Sequence, residues 1–345
     1  MLVKDFSFEL PPELIAQYPS QARQDCRLLV IDRRTGQYTD ARMEDFVNYL
    51  EPGSVVVINN TRVRKARVYG VADTGAKVQF LFTGRNPDGT LLAMTTKGKR
   101  QKPGKTFAFA DSDGRPYATG TVLGENEEGL KIVSLSVPVT EEFFERCGHV
   151  PLPPYIRRED EFSDEDRYQT VYASVNGSVA APTAGLHYTP QMLDEIRAKG
   201  IEIVEITLHV GMGTFLPMRS ETLEGHHMHF ESYHVPPQAA EAINRAKNEG
   251  RRVVATGTTS VRTLESAWAP GEGVRPGYGR TDLFITPGFE FHVVDQLLTN
   301  FHTPESTLLV LVSAFSSREI ILNAYRHAVE ERYRFFSYGD ATFIK

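Results

Sequence analysis

The chain has 345 residues, 41% hydrophobic and 24% charged, a length that suits two domains or one large domain with an insertion. Its net charge of −6 excludes a generally basic nucleic-acid coat but allows a local basic patch. Cys26 and Cys147 form no CxxC pair, which excludes a disulfide framework, and no apolar run approaches the ~20 residues of a bilayer span, so we expect a cytoplasmic protein with no membrane partner.

Along the chain, the first part of the sequence changes character near residue 63. Residues 54–60 (SVVVINN) are typical of a buried strand in an α/β sheet. From about residue 64 to residue 147, short β-rich segments are separated by Gly, Pro and Asp, and the first helix signal is at 141–148. This texture predicts a small all-β barrel or sandwich.

The remainder of the chain alternates helix and strand signals. Helices are predicted at 190–200, 236–250, 258–268 and 317–333, strands at 201–211 and 251–257, and the segments 282–286 and 306–315 continue the series. Such alternation indicates an α/β domain with a largely parallel sheet or barrel. We therefore predict a discontinuous α/β domain (1–62 and 150–345) with an inserted β domain (63–149).

Charge is unevenly distributed along the chain. Residues 159–166 (EDEFSDED) carry six acids, whereas 62–67 (RVRKAR) carry four bases and 97–105 (KGKRQKPGK) carry five. Two basic runs on an acidic chain suit a polyanion that contacts one face, although solvated surface explains them equally well.

Common site motifs are not present in this sequence. The run GMG (211–213) is not a GxGxxG fingerprint, and neither a GxxxxGK[ST] loop nor a GxSxG elbow occurs. Three histidines cluster at 226, 227 and 229 without the spacing of a metal site, so no metal is predicted.

Polar loops after the predicted strands are the best candidates for a binding site, because α/β folds bind ligands at the carboxyl ends of their strands. Thr258, Thr259 and Ser260 open a helix and either cap it or bind an anion, and Arg262 one turn later suits a carboxylate.

Ten segments stand in an order that resembles a known family. They are 5–19, 59–63 (NNTRV), 151–156 (PLPPYI), 168–173, 177–189 (GSVAAPTAGLHYT), 208–217 (LHVGMGTFLP), 257–266 (GTTSVRTLES), 281–291, 297–315 and 333–344. Together they closely resemble the S-adenosylmethionine:tRNA ribosyltransferase-isomerases of queuosine synthesis, across essentially the whole chain.

The resemblance implies a fold and a reaction. The family fold is a discontinuous α/β barrel-like domain with an inserted β-barrel domain. The reaction moves the ribosyl group of S-adenosylmethionine onto the aminomethyl-deazaguanine at the wobble position of tRNA. Adenine and methionine leave, and epoxyqueuosine results. The co-substrate is thus S-adenosylmethionine, no metal is implied, the partner is tRNA, and we expect a monomer.

The same resemblance suggests residues for each task, since deprotonating the carbon beside a sulfonium needs a base and expelling adenine needs a proton donor. The catalytic candidates are His187, His209 and Asp282, with His302 and His226 next. Candidates to bind S-adenosylmethionine are Thr183, Gly185, Gly211, Gly213, Thr258, Thr259, Ser260, Arg262, Phe289, Tyr338 and Asp340. Candidates to bind tRNA phosphates are Arg62, Arg64, Lys65, Arg67, Lys97, Lys99 and Arg100.

Two other functions remain open on the sequence. An RNA-binding module would bind the anticodon stem-loop without consuming S-adenosylmethionine. An RNA methyltransferase would use the same co-substrate and release S-adenosylhomocysteine.

Overall fold

A computed structural model describes residues 1–211, 218 and 220–345. Its helices are α1 (Phe46–Tyr49), α2 (Glu141–Cys147), α3 (Asp164–Arg167), α4 (Pro190–Ala198), α5 (Pro237–Asn248), α6 (Thr258–Ala267), α7 (Thr307–Phe315) and α8 (Arg318–Glu330). Its strands are β1 (Arg27–Ile31), β2 (Tyr38–Arg42), β3 (Val55–Asn59), β4 (Thr61–Val63), β5 (Arg67–Ala72), β6 (Lys77–Arg85), β7 (Leu91–Thr95), β8 (Thr106–Ala110), β9 (Pro116–Glu125), β10 (Lys131–Leu135), β11 (Gly148–His149), β12 (Val175–Ser178), β13 (Glu202–Leu208), β14 (Glu231–Val235), β15 (Val253–Thr256), β16 (Trp268–Ala269), β17 (Gly273–Val274), β18 (Gly277–Thr281), β19 (Gln296–Asn300) and β20 (Ala341–Ile344).

A mixed sheet forms the centre of the molecule, and its described strands run in the order β18-β14-β13-β3-β15-β19-β20-β1-β2. Neighbours among β13, β3, β15 and β19 pair in parallel. Strand β3 is fully buried because helices cover both of its faces. Val55 and Val57 pack into one core layer with α5, α6, α7 and α8, whereas Val56 and Ile58 pack into the other with α1 and α4.

The predicted helices form where Pro and Gly punctuation placed them. Helix α4 begins with Thr189 at its N-cap, whose hydroxyl accepts a hydrogen bond from the Met192 amide, followed by Pro190. Helices α5, α6 and α8 likewise lie within one to three residues of their predicted bounds.

The inserted β-rich region is a closed barrel, as predicted. Strands β5, β6, β7, β10, β9 and β8 pair in that order, and β8 pairs back onto β5. Phe80, Phe82, Phe107 and Phe109 fill its interior in mostly edge-to-face contacts.

Two segments differ from the strands that continuing the predicted series would give, and one expectation about the α/β domain is not confirmed. Strand β18 ends at Thr281, so 282–286 is not a strand, and most of 306–315 is helix α7, because an apolar run is equally typical of a buried helix and a buried strand. The barrel-like description of the α/β domain is not confirmed, since the pairing order of its described strands begins at β18 and ends at β2.

Within the described residues, no single helix is both long and apolar enough to cross a bilayer; only α7 and α8 taken together, with a bend of 115° between them, meet that test.

Candidate active site

Several strand ends meet at one edge of the sheet and surround a cavity. Strands β13, β3, β15 and β19 run in the same direction, so their carboxyl ends share this edge. The cavity has a volume of about 310 Å³. It is lined by Tyr155, Ala181, Pro182, Thr183, Ala184, Val210, Met218, Gly257, Thr258, Thr259, Thr299, Asn300, Phe301, His302, Thr303, Pro304, Glu305, Ser306, Leu308, Phe336 and Ser337.

Asn59, the last residue of β3, braces this edge. Its side-chain amide donates to the Leu208 carbonyl (3.0 Å) and to Thr259 Oγ1 (3.3 Å), and its Oδ1 accepts from the Leu208 amide (3.0 Å). The bonds fix the end of β13 and the first turn of α6 against β3. Thr259 is therefore held in place at the cavity wall.

The turn that leads into α6 requires a glycine. Gly257 has a φ of +83°, which side chains other than glycine rarely adopt, and its amide donates to the Leu298 carbonyl (2.7 Å). Thr258 and Thr259, two of the predicted ligand residues, follow it and line the cavity. Ser260 does not join them, because its hydroxyl donates to the Thr256 carbonyl (2.7 Å) within the helix.

His302 follows β19 and lines the cavity. Its Nε2 lies 3.0 Å from Thr299 Oγ1, and its side chain is buried. Burial lowers the pKa of His302 to about 3, so the imidazole is neutral near pH 7. A pKa this low makes the imidazole a weak base in the protein as it stands. Of the predicted proton carriers, His302 is the one among the described lining residues of the cavity.

Glu305 also lines the cavity, although it was not among the site residues predicted from sequence. Its side chain is exposed at the rim, and its backbone has a φ of +57° while its amide donates to the Phe6 carbonyl (2.9 Å). A non-glycine residue in this conformation is often part of a functional site. Its carboxylate gives the rim a negative charge suited to a cationic ligand.

His187 lies behind the cavity wall rather than in it. Its Nδ1 is 3.0 Å from Cys26 Sγ and its Nε2 is 3.0 Å from Asn300 Nδ2, so protein groups occupy both ring nitrogens. Burial, with a smaller effect of Arg334, lowers the pKa of His187 to about 3. This geometry does not favour proton exchange with a ligand, although that role stays a prediction.

His209 and Asp282 occupy other positions at the same edge. His209 is half-buried, its Nδ1 lies 2.8 Å from Thr61 Oγ1, and its ring covers Gly177, where a Cβ would come within 2.7 Å. Burial, with a contribution from Arg64, lowers the pKa of His209. Asp282 is exposed just beyond β18. Neither residue is in the cavity lining, and their catalytic roles stay predictions.

Arg262 is buried and held by protein groups. Its Nη1 donates to Glu231 Oε2, and its Nε donates to the Leu283 carbonyl (3.0 Å). Its Nη2 is buried with no hydrogen-bond partner among the described residues. Two of its three nitrogens thus donate to protein groups. Only Nη2 is left to donate to a ligand carboxylate, so the two-bond contact suggested by the sequence is not available in this arrangement.

Tyr338 and Asp340, the predicted S-adenosylmethionine-binding residues of the C-terminal segment, are hydrogen-bonded to other protein groups. The Tyr338 hydroxyl donates to Asp164 Oδ1 (2.6 Å), and Asp164 is also bound by the Arg158 guanidinium. Asp340 accepts from the amides of Arg27 (2.9 Å) and Arg334 (2.7 Å). Both predicted residues are buried, and neither lines the cavity.

The remaining predicted ligand residues have mixed positions. Thr183 lines the cavity, whereas Phe289 packs edge-to-face on Phe291 at 5.0 Å in the core layer. The Gly211 amide donates to Glu231 Oε1 (2.8 Å). A Cβ at Gly185 would lie 2.1 Å from the Tyr172 hydroxyl, so that glycine is required by protein packing. Gly213 lies outside the described residues.

The predicted tRNA-binding residues divide into paired and unpaired sets. Arg64 pairs with Glu141 (2.7 Å), Lys65 pairs with Glu165 (2.8 Å), and Arg67 donates to the Leu152 carbonyl. Arg62, Lys97, Lys99 and Arg100 are exposed and have no ion pair with any described residue. Of the predicted tRNA-binding residues, the cations without an ion-pair partner are therefore Arg62 in β4 and the three in the loop after β7.

In the described part of the chain, no group of three or more His, Cys, Asp or Glu side chains is arranged to hold a metal ion.

A family model described as queuosine biosynthesis protein matches residues 3–344. The chain belongs to this family. Proteins from Treponema denticola (48% identical), Clostridioides difficile (46%) and Syntrophotalea carbinolica (48%), each matched over the whole length of both chains, are named S-adenosylmethionine:tRNA ribosyltransferase-isomerase. The crystal structure of an S-adenosylmethionine tRNA ribosyltransferase from Thermotoga maritima is 34% identical, with a TM-score of 0.57 over 99% of this chain and 100% of that chain.

Within this queuosine biosynthesis family member, six of the segments that carried the resemblance meet in space. Residues of the cavity wall come from the segments 151–156, 177–189, 208–217, 257–266, 297–315 and 333–344. The longest stretch between two consecutive segments is 218–256, and the sheet topology brings the segments together.

Proposed function

We propose that this protein is an S-adenosylmethionine:tRNA ribosyltransferase-isomerase. It transfers and isomerises the ribosyl group of S-adenosylmethionine onto the aminomethyl-deazaguanine wobble base of tRNA, giving epoxyqueuosine, adenine and methionine. The observation that carries the proposal is the cavity built from the family's own segments at the carboxyl edge of the sheet. Its volume of about 310 Å³ is in the range of small-molecule sites.

The chemistry assigns tasks to residues at this cavity. We assign His302 to accept the proton from the carbon beside the sulfonium, because it is the predicted proton carrier found among the described lining residues. Thr183, Thr258 and Thr259 offer hydroxyls for the co-substrate. The glycosidic bond to adenine and the carbon–sulfur bond to methionine break with their electron pairs on the leaving groups, and adenine takes up a proton. A carbon–nitrogen bond to the tRNA amine forms as that amine loses a proton. A new carbon–carbon bond closes the carbocycle, and one carbon–oxygen bond of the ribose ring is exchanged for a carbon–oxygen bond of the epoxide.

Glu305 supplies the counter-charge at the rim. S-adenosylmethionine carries a sulfonium and an ammonium, and Glu305 is the carboxylate among the described lining residues. An attraction between unit charges across a few ångströms at a protein surface amounts to a few kcal/mol. We assign Glu305 to holding this cationic part of the co-substrate.

The tRNA lies against the unpaired cations. Lys97, Lys99 and Arg100 follow β7 in the barrel, and exposed Arg62 lies in β4 near the large sheet. We assign residues 63–149 to an inserted domain that contributes the first three of these contacts, and 1–62 with 150–345 to the catalytic domain.

One assay separates this function from its rivals. The protein is incubated with tRNA carrying the aminomethyl-deazaguanine and with S-adenosylmethionine labelled in both adenine and methionine. Equimolar release of adenine and methionine is expected, with none from tRNA that has an unmodified wobble guanine. Release of S-adenosylhomocysteine indicates a methyltransferase instead, and tRNA binding without turnover indicates a binding module.

A further inference from the structure

We propose that Asn300 is the hydrogen-bond acceptor for an N–H donor of S-adenosylmethionine in the cavity, and that His187 is a positioning residue that holds Asn300. The inference rests on the proposed function for the identity of the ligand. It gives His187 a different task from the proton transfer predicted from sequence.

Asn300 is a polar side chain with one unused atom. It is the last residue of β19, lines the cavity and is only 2% exposed. Its Nδ2 lies 3.0 Å from His187 Nε2 and 3.1 Å from the Phe336 carbonyl oxygen, whereas its Oδ1 has no partner among the described residues. A buried acceptor left unpaired is unfavourable, so a ligand that donates to it recovers the lost hydrogen bond.

The contact with the Phe336 carbonyl shows which atom of the Asn300 side-chain amide is the nitrogen and which is the oxygen. A backbone carbonyl only accepts, so the atom of Asn300 beside it is the donor nitrogen. The same nitrogen also faces His187 Nε2, which must then be the unprotonated ring nitrogen. The two contacts together leave Oδ1 as the acceptor of Asn300 that has no partner among the described residues. Oδ1 is itself buried, so a ligand in the cavity reaches it only with a small shift of the wall.

The proton of His187 is therefore on Nδ1, and a chain of hydrogen bonds continues behind it. Nδ1–H donates to Cys26 Sγ (3.0 Å), and the Cys26 thiol donates to the Arg23 carbonyl (3.7 Å). Every donor in this chain has an acceptor. The imidazole is locked in one tautomer and one orientation, which is what a support for Asn300 requires.

The carbonyl that Asn300 contacts is itself held in a strained turn. Phe336 has a φ of +74°, and its amide donates to the Phe301 carbonyl (3.2 Å). A bulky residue in the left-handed region is strained and persists where the surroundings require it. This strain directs the Phe336 carbonyl at Asn300 and so fixes the amide from a second side.

The ligand group is an N–H donor, and S-adenosylmethionine has such donors at the adenine amino group and at the methionine ammonium. Binding of labelled S-adenosylmethionine is measured by equilibrium dialysis with tRNA that has an unmodified wobble guanine, so that no turnover intervenes. Adenosine and methionine are used as competitors. For Asn300→Ala we expect about 10-fold weaker binding of S-adenosylmethionine.

The competitors identify the source of the donor. Loss of affinity for adenosine assigns the contact to the adenine amino group, and loss for methionine assigns it to the ammonium. Ser313→Ala is the matched control, because Ser313 Oγ is also buried and unpaired but outside the cavity lining. Unchanged binding by folded Asn300→Ala, or an equal loss in Ser313→Ala, overturns the proposal.

His187 is tested by two variants. Gln keeps an acceptor for Asn300 Nδ2, whereas Leu removes it, so we expect His187→Gln to bind S-adenosylmethionine within roughly 3-fold of the unaltered protein and His187→Leu to bind as weakly as Asn300→Ala. The pH profile of turnover is expected to keep its shape in His187→Gln. A roughly 100-fold loss of turnover in His187→Gln with binding intact shows proton transfer instead. Binding measured without turnover stays informative even if the proposed reaction fails.

Discussion

Arg262 of α6 and Glu231 of β14 form an ion pair in which each side chain is 5% exposed. The pair joins the helix to the strand at the same edge of the sheet as the cavity. Glu231 also accepts from the Gly211 amide, so the pair anchors the start of the loop after β13. Arg262, which was predicted from sequence to bind a ligand carboxylate, therefore uses most of its hydrogen-bonding groups within the protein.

This burial predicts a large stability effect. Glu231→Leu leaves the Arg262 guanidinium buried without its charge partner, and we expect the free energy of unfolding to fall by about 3–5 kcal/mol. Urea denaturation measures it. Glu202→Ala is the control, because its pair with Arg245 is roughly half exposed and should contribute less than about 1 kcal/mol. Equal losses in the two variants would contradict the assignment.

Gly185 gives a prediction that separates packing from ligand binding. A Cβ there would overlap the Tyr172 hydroxyl at 2.1 Å, so Gly185→Ala should destabilise the protein by about 1–3 kcal/mol. Tyr172→Phe in the same chain removes the overlapping oxygen and should recover part of the loss. Gly124→Ala, whose Cβ would meet only Ile132 at 4.0 Å, is the control. If the double variant is no more stable than Gly185→Ala, this contact is not the cause.

The buried histidines predict a pH dependence of stability. Burial lowers the pKa of both His187 and His302 from 6.5 to about 3, so between these values the unfolded chain binds protons that the folded protein excludes. Stability from this source is complete above pH 6.5 and falls as the pH drops toward 3, by up to about 1.4 kcal/mol per pH unit for each histidine.

Urea denaturation across this pH range tests the sign. His187→Gln should show a shallower loss of stability on acidification than the unaltered protein, because one contributing group is gone. Exposed His229, in an otherwise similar His229→Gln variant, should leave the slope unchanged. A slope in His187→Gln equal to that of the unaltered protein would refute the contribution.

The unpaired cations predict the salt dependence of tRNA binding. Replacing Lys97, Lys99 and Arg100 by Ala should weaken binding and reduce the slope of log K against log salt by roughly 2–3, about one unit for each lost phosphate contact. Filter binding at several salt concentrations measures the slope. Arg326→Ala, an exposed cation on α8, is the control and should leave it unchanged. An unaltered slope in the triple variant would place the tRNA elsewhere.

Much of the architecture follows from local patterns in the chain. Pro at the start and Gly after the end bounded α4 and α5, because those residues start or interrupt helix hydrogen bonding without help from the rest of the protein. A small all-β barrel or sandwich was predictable because its short strands are separated by turn residues, and the family resemblance implied the barrel. Strands β19 and β20 were not predicted, since their burial depends on neighbours from distant parts of the sequence.

The residues of the candidate site also divide into those predictable from sequence and those decided by the tertiary structure. Hydroxyls at a helix start after a predicted strand marked Thr258 and Thr259 as candidates, and the family resemblance added Thr183; all three line the cavity. His187 was selected from its residue type and its place in a segment of the resemblance. Only the tertiary structure could show that Cys26, 161 residues away, and Asn300, 113 residues away, take both of its ring nitrogens. A side chain's availability depends on which groups the fold brings within hydrogen-bonding distance, and that is decided by packing across the whole chain.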